Sequence, residues 1–101
     1  MPEIEIIWSP TALGHLQAIY DYILPDNPAA AIDVHEEIEQ AAGLLKDNPR
    51  LGHPGRSADT RELVVPAYQN YIIVYEIEGQ RVHILAVMHG MQRWPDSFGG
   101  R

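Results

Sequence analysis

The chain has 101 residues, 46% hydrophobic and 21% charged, with a formal net charge of −7 and no cysteine. That length supports one core and one domain, and the charged content is too low for a disordered chain. The missing cysteines exclude disulfides, thiolate chemistry and zinc–sulfur sites.

Glu3-Ile4-Glu5-Ile6-Ile7-Trp8 alternates, with Ile4, Ile6 and Trp8 on one face and the two glutamates on the other. This predicts a half-buried strand whose charged side suits a sheet edge. Ser9-Pro10 then reads as a helix start: serine caps, and proline takes the first helical position, where its missing N–H costs nothing. Leu13, Leu16, Ile19, Tyr20, Ile23 and Leu24 recur at three- and four-residue spacing and predict the buried stripe of that helix. Pro25 stops it. Asn27-Pro28 repeats the start signal. Ala31, Val34, Ile38, Ala41, Ala42 and Leu45 form the inner stripe of a second helix that ends near Lys46-Asp47-Asn48-Pro49. So short a link makes the pair an antiparallel hairpin.

Residues 50–59 have loop composition. They do not form a phosphate loop, because Gly52-His53-Pro54-Gly55-Arg56 lacks the Gly-Lys-Ser/Thr ending and no helix pattern follows. Three runs rich in β-branched and aromatic residues come next: Thr60–Val65, Asn70–Ile77 and Val82–His89. The Glu78-Gly79-Gln80 turn joins the last two, and together the runs predict an antiparallel meander. Pro66 ends the first run or places it near an edge. Both faces of the middle run are apolar. In the last run, strict alternation puts Val82, Ile84, Ala86 and Met88 on one face and His83, Leu85, Val87 and His89 on the other. His83 and His89 would then lie roughly 20 Å apart along the strand and could not share a metal.

The expected layout is β-α-α-β-β-β, a two-layer α+β fold with an antiparallel sheet and a helical hairpin on one face. Residues 1–95 would form the domain and 96–101 a flexible tail. Two layers leave the second sheet face open. Its apolar groups would make it a partner site. No run approaches about 18 apolar residues, so no spanning helix and no membrane contact are expected. The N-terminus lacks a signal-peptide pattern, and the expected location is the cytoplasm.

Charge is divided unevenly along the chain. Residues 1–45 hold eight acids and no Lys or Arg, whereas the remainder holds seven basic residues and six acids. An acidic helical half repels a phosphate backbone, so no direct DNA binding by this chain alone is expected. Glu36, Glu37 and Glu39 read as a solvated helix face rather than paired catalytic carboxylates. No metal or cofactor is called for.

The opening Ile-Ile-Trp-Ser-Pro-Thr-Ala and the helical Leu16-x-x-Ile19-Tyr20-x-Tyr22-Ile23 belong to an ordered set of motifs. The set continues with Asn48-Pro49-Arg50-Leu51-Gly52, Thr60–Val65 and Tyr71–Tyr75, and ends at Val82-x-Ile84-Leu85-x-Val87-x-His89-Gly90-x-Gln92-Arg93-Trp94. Over about residues 3–95 the set resembles the RelE/ParE superfamily of type II toxins. The resemblance implies a small cytoplasmic toxin with a cognate antitoxin, of ribbon-helix-helix type, that wraps and neutralises it. Within the superfamily, RelE-like members cut messenger RNA on the ribosome, while ParE-like members inhibit DNA gyrase without ribonuclease residues. Ile72 stands where the ribonuclease branch commonly has arginine, Gly90 where a tyrosine often follows the histidine, and no Lys follows Lys46. The sequence is therefore closer to the ParE branch.

On that reading Arg56, Arg61, Tyr68, His89, Arg93 and Trp94 are candidate partner-binding residues and none is catalytic. The alternative is a RelE-like endoribonuclease using Arg61, His89 and Arg93. A further alternative is an inactive, toxin-derived binding module. Each candidate also has a purely structural use. Arg61 could pair with a strand glutamate, His89 could bond backbone at a strand end, and Trp94 could fold back over the core.

Overall fold

The computed structural model describes residues 3–98. Residues 99–101, the end of the expected flexible tail, lie outside the described residues, as do Met1 and Pro2. The elements are β1 (Glu5–Trp8), α1 (Pro10–Ile23), α2 (Pro28–Gly43) continued by a 3₁₀ turn (Leu44–Lys46), β2 (His53–Pro54), β3 (Arg61–Val64), β4 (Tyr71–Glu78) and β5 (Arg81–His89). They form a five-stranded sheet in the order β1-β5-β4-β3-β2 with both helices on one face.

Local chemistry sets the helix starts. Ser9 Oγ accepts the Ala12 N–H at 3.0 Å, and Asn27 Oδ1 accepts the Ala30 N–H at 3.1 Å, with Pro10 and Pro28 at the first helical positions. The inner stripe of α2 is as the spacing predicts: Ala31, Val34, Ile38, Ala41, Ala42 and Leu45 are all buried. In α1 the stripe holds at Leu16, Ile19 and Ile23 but begins at Ala12 rather than Leu13. Ala12 and Leu16 are buried, with Ile19 and Ile23 packed on the same core, while Leu13 stays 51% exposed. A line through Ala12, Leu16, Ile19 and Ile23 keeps the three–four spacing, and Leu13 falls about 100° off it.

β3, β4 and β5 pair antiparallel, as the meander predicts. Gly79, at φ 57°, opens the two-residue turn between β4 and β5, a place that demands positive φ. Two features differ from the expected sheet. β1 is the edge strand but runs parallel to β5, from Glu5 opposite Arg81 to Trp8 opposite Ile84, and the helical hairpin carries the chain from that edge to β2 at the other. β2 adds a two-residue antiparallel pair with β3 inside the segment that reads as loop. Period-two alternation marks a strand but carries no direction, and two residues carry no period.

A third difference matters more. Val74 pairs with Ala86, but Tyr75 pairs with Ile84, so Leu85 is an extra residue in β5. The bulge reverses the strand's alternation. Val82, Ile84 and Val87 join the helix-side core, whereas Ala86 and Met88 pack with Val74 on the opposite face. The expected common face of Val82, Ile84, Ala86 and Met88 is therefore split, and so is that of His83 and His89. Both carbonyls at the bulge point to Ser9. Its N–H donates to Ile84 O at 3.0 Å, and its Oγ donates to Leu85 O at 3.2 Å.

Beyond the end of β1, the Val87 N–H donates to His15 Nδ1 of α1 at 3.2 Å. An accepting Nδ1 has to be unprotonated, and burial holds His15 below its ordinary imidazole value. The ring's neutral form is thus favoured in the fold, and the unfolded chain binds the proton more readily. Stability from His15 is present above the ordinary imidazole range and is lost as pH falls through it towards the lower folded value. In urea titrations between pH 8 and 5, the wild-type chain should lose stability relative to His15→Gln, which keeps an acceptor without titrating. Parallel pH profiles for the two proteins would contradict the assignment.

Tyr75 is fully buried, yet its hydroxyl is satisfied: it donates to Pro49 O at 2.7 Å and accepts the Gly52 N–H at 2.9 Å. A β-carbon at Gly52 would lie 2.7 Å from Glu62 O and 2.8 Å from the same hydroxyl, so only glycine fits that loop against β3 and β4. Removing the hydroxyl strands the buried Gly52 N–H, at about 1–3 kcal/mol, and costs the part-buried Pro49 carbonyl its bond, a smaller loss because water reaches it. Tyr75→Phe should therefore lower the urea-unfolding free energy by roughly 2–3 kcal/mol with an unchanged denaturant slope.

Candidate partner-binding surface

The second sheet face is not open. After β5 the chain turns back, and Trp94 and Phe98 pack over Val74, Ala86 and Met88, with the two rings 6.2 Å apart, edge to face. Ile72 of that face is buried as well, while Val64 opposite it in β3 stays 38% exposed. The expected partner site on an uncovered sheet is thus replaced by a strap made from the chain's own end. Sequence reasoning left this alternative open for Trp94. The segment has no periodicity that could have decided it.

Two cationic groups among the candidates serve this architecture. The Arg56 guanidinium stacks 3.5 Å above the Trp94 ring. The Arg56 backbone N–H donates to Glu62 Oε2 at 2.8 Å, and Nε lies 3.6 Å from Oε1. Glu62 is only 3% exposed, so its carboxylate requires these donors. Ser57 Oγ donates to Asp96 O, and Trp94 Nε1 to His89 O at 3.2 Å, which ties the strap to the 50–59 loop and to β5. Arg61 makes no strand ion pair. It clamps the same loop, with Nε at 2.9 Å and Nη2 at 2.6 Å from Gly52 O and Nη2 at 3.2 Å from Arg50 O. A hollow of about 880 Å³ beside it mixes Arg50, Arg56 and Arg61 with Asp59, Glu76 and Glu78.

The remaining candidates lie elsewhere. The Tyr68 hydroxyl donates to Asp33 of α2 in a short hydrogen bond. The accepting carboxylate holds the phenol's proton and raises its pKa. Tyr68 is thus a strut between the β3–β4 connection and the helices. His89 sits on the helix side, edge to face with Tyr71 at 5.4 Å, and its Nδ1 accepts the Met91 N–H at 3.0 Å. It borders an apolar hollow of about 570 Å³ with Ala18, Ile19, Tyr22, Tyr71, Met91 and Gln92. Arg93 is exposed.

The register places these groups far apart. Arg61 is opposite Tyr75 and His89 is opposite Tyr71. Four residues along the strands and two strand spacings across separate their backbones by roughly 16 Å. Arg56 shares the hollow of about 880 Å³ with Arg61, but neither His89 nor Arg93 lines it. The structure does not bring Arg56, Arg61, His89 and Arg93 together. What it brings together instead is Tyr22, 82% exposed, and Met91, 89% exposed, at the mouth of the apolar hollow. Sequence reasoning did not select these two. Tyr22's position off the α1 stripe was the available signal.

A sequence profile of the ParE toxins of type II toxin–antitoxin systems (parDE) matches residues 6–94. The chain is 44% identical over 95 residues to Y4kP of Sinorhizobium fredii, a protein named as a toxin, covering 94% of this chain and 97% of that one. It is 35% identical over 85 residues to toxin RelE2 of Caulobacter vibrioides, covering 84% and 93%. The fold superposes on a chain of the chromosomal ParDE toxin–antitoxin system of P. aeruginosa with a TM-score of 0.78 at 20% identity, over 85% of this chain and 95% of that one. It superposes on a chain of the RelBE2 toxin–antitoxin complex of Mycobacterium tuberculosis with a TM-score of 0.60 at 26% identity, over 88% and 93%.

The Arg56 stack predicts a measurable coupling. In a Trp8→Phe background, where Trp94 is the single indole, Arg56→Ala should shift Trp94 emission to longer wavelength as the ring loses its cover. It should also cost about 1–2 kcal/mol, since it leaves the buried Glu62 carboxylate with one donor fewer. Unchanged emission would mean that the guanidinium does not hold the strap.

Proposed function

This chain belongs to the ParE toxin family of type II toxin–antitoxin systems, and on that premise we propose that it acts by binding, with DNA gyrase as its target. A cognate antitoxin of ribbon-helix-helix type keeps it silent, and both proteins work in the cytoplasm. No helix among the described residues is long and apolar enough to cross a membrane.

The observation that carries the binding reading is the dispersal of the cationic candidates. Cutting RNA through its 2′-hydroxyl requires a base, an acid and a cation on the developing phosphorane charge, all within reach of one phosphate. Arg61 spends its donors on the Gly52 and Arg50 carbonyls, Arg56 lies against Trp94 and Glu62, and the hollow that the two arginines share also holds Asp59, Glu76 and Glu78. His89 is roughly 16 Å from Arg61. The acidic helical half also opposes approach to a polyanion. The antitoxin reading draws on the two structural relatives, which come from a ParDE system and a RelBE2 complex. It also draws on the exposed apolar residues of the helical layer, which suit an amphipathic partner segment.

Induction in bacteria lacking the antitoxin tests the proposal. The expected result is filamentous cells with DNA-damage signalling. The double variant His89→Gln, Arg93→Ala should be as toxic as wild type, to within about twofold in surviving colonies. Immediate arrest of translation with cleaved messenger RNA, abolished by that variant, would replace this reading with the ribonuclease one.

A further inference from the structure

Two of the chain's three methionines lie three residues apart in opposite environments. Met88 is 2% exposed and packs with Val74 and Ala86 beneath the strap. Met91 is 89% exposed, more than any other large apolar side chain among the described residues. Its backbone is nevertheless held in place. The Met91 N–H donates to His89 Nδ1 at 3.0 Å, and the next amide, Gln92 N–H, donates to His89 O at 3.0 Å. This turn fixes where the thioether leaves the chain, and the side chain lines the apolar hollow of about 570 Å³ together with Tyr22 and Tyr71.

A thioether sulfur is soft and carries the lone pair that two-electron oxidants attack. The chain has no thiol to compete for the oxidant. With hydrogen peroxide the step balances within the pair. The sulfur lone pair forms an S–O bond to one peroxide oxygen, and the O–O bond breaks. The proton on the transferred oxygen passes to the departing one, which leaves as water. Sulfur is oxidised by two electrons and the peroxide is reduced by the same two. Met91 meets the solvent that carries the oxidant, whereas Met88 is sealed from it. The product exchanges a flexible apolar group for a polar, chiral one. An apolar partner side chain entering the hollow would strip water from the new S=O group and offer no donor in return.

We infer that Met91 is an oxidation site that controls capture of this chain by its antitoxin. Peroxide converts Met91 to the sulfoxide in the free chain, and the oxidised chain is no longer neutralised. The inference rests on the antitoxin reading given above and adds a mode of regulation to it. Within the complex the partner shields the sulfur, so the modification acts on toxin that is already free. It lasts until a methionine sulfoxide reductase restores the thioether.

The test treats the full-length chain with hydrogen peroxide and follows both sulfurs by fragment mass spectrometry. Met91 should gain one oxygen at least tenfold faster than Met88, and equal rates would overturn the inference. Treated and untreated chains are then titrated with the purified product of the adjacent open reading frame. Oxidation should weaken binding at least tenfold, and reductase treatment should restore it. Met91→Leu keeps an apolar side chain without the sulfur, and after the same treatment it should match its own untreated affinity to within about twofold. Oxidised wild type that binds as tightly as untreated chain would overturn the inference and leave the antitoxin reading standing. An equal loss in treated Met91→Leu would do the same. No binding by the untreated chain would overturn both.

Discussion

The bulge at Leu85 is the constraint on which the rest of the molecule depends. It is one residue in the strand that touches both β1 and β4, and it decides which apolar side chains face which layer. Upstream, Val82 and Ile84 meet the helices. Downstream, Val87 takes over that duty, while Ala86 and Met88 turn to the other face and, with Val74, give Trp94 and Phe98 something to cover. Without the extra residue, alternation would send Ala86 and Met88 into the helix-side core and Val87 out of it. The strap would then lose its floor. The bulge also turns two carbonyls towards Ser9, so the helix cap and the strand irregularity are held by one side chain.

From this arrangement follows the use of the positive charge. A folded chain with a buried carboxylate at Glu62 must place donors beside it. A loop whose carbonyls at Arg50 and Gly52 turn inward must be given N–H groups. Arg56 and Arg61 meet those needs from the two sides of one hollow. Arginines committed in this way hold the loop and the strap in place and are not free to assemble around a phosphate. The surface that the strap and the 50–59 loop leave uncovered includes the helical layer and its seam with β5. It is acidic, apolar at Tyr22 and Met91, and bordered by a strand edge whose hydrogen bonds are made by side chains.

Much of this was legible in the sequence where the rule is local. Ser9-Pro10 and Asn27-Pro28 announce their helices because capping acts within four residues. The α2 stripe is right in every position because a 16-residue helix gives its period several turns to declare itself. The β4–β5 hairpin follows from Gly79. What was not legible depends on long-range register. A run as uniformly apolar as Val82–Met88 looks the same with or without a bulge. The direction of β1 depends on how the hairpin crosses the sheet, not on Glu3–Trp8. Trp94 was correctly seen as having two uses, but the partner that decides between them, Arg56, lies 38 positions earlier in a loop. Arg61 reads in the sequence as a partner-binding residue or the pair of a strand glutamate and takes carbonyls instead, because only the folded loop turns Gly52 O towards it.

We propose that this domain works by presenting a surface rather than by breaking a phosphodiester. The most direct measurement adds the purified chain to DNA gyrase supercoiling reactions and, in parallel, to ribosomes translating a defined messenger whose ends are mapped. The expected result is loss of supercoiling, reversed by antitoxin, with every messenger intact. Normal supercoiling together with cuts in the messenger would contradict it.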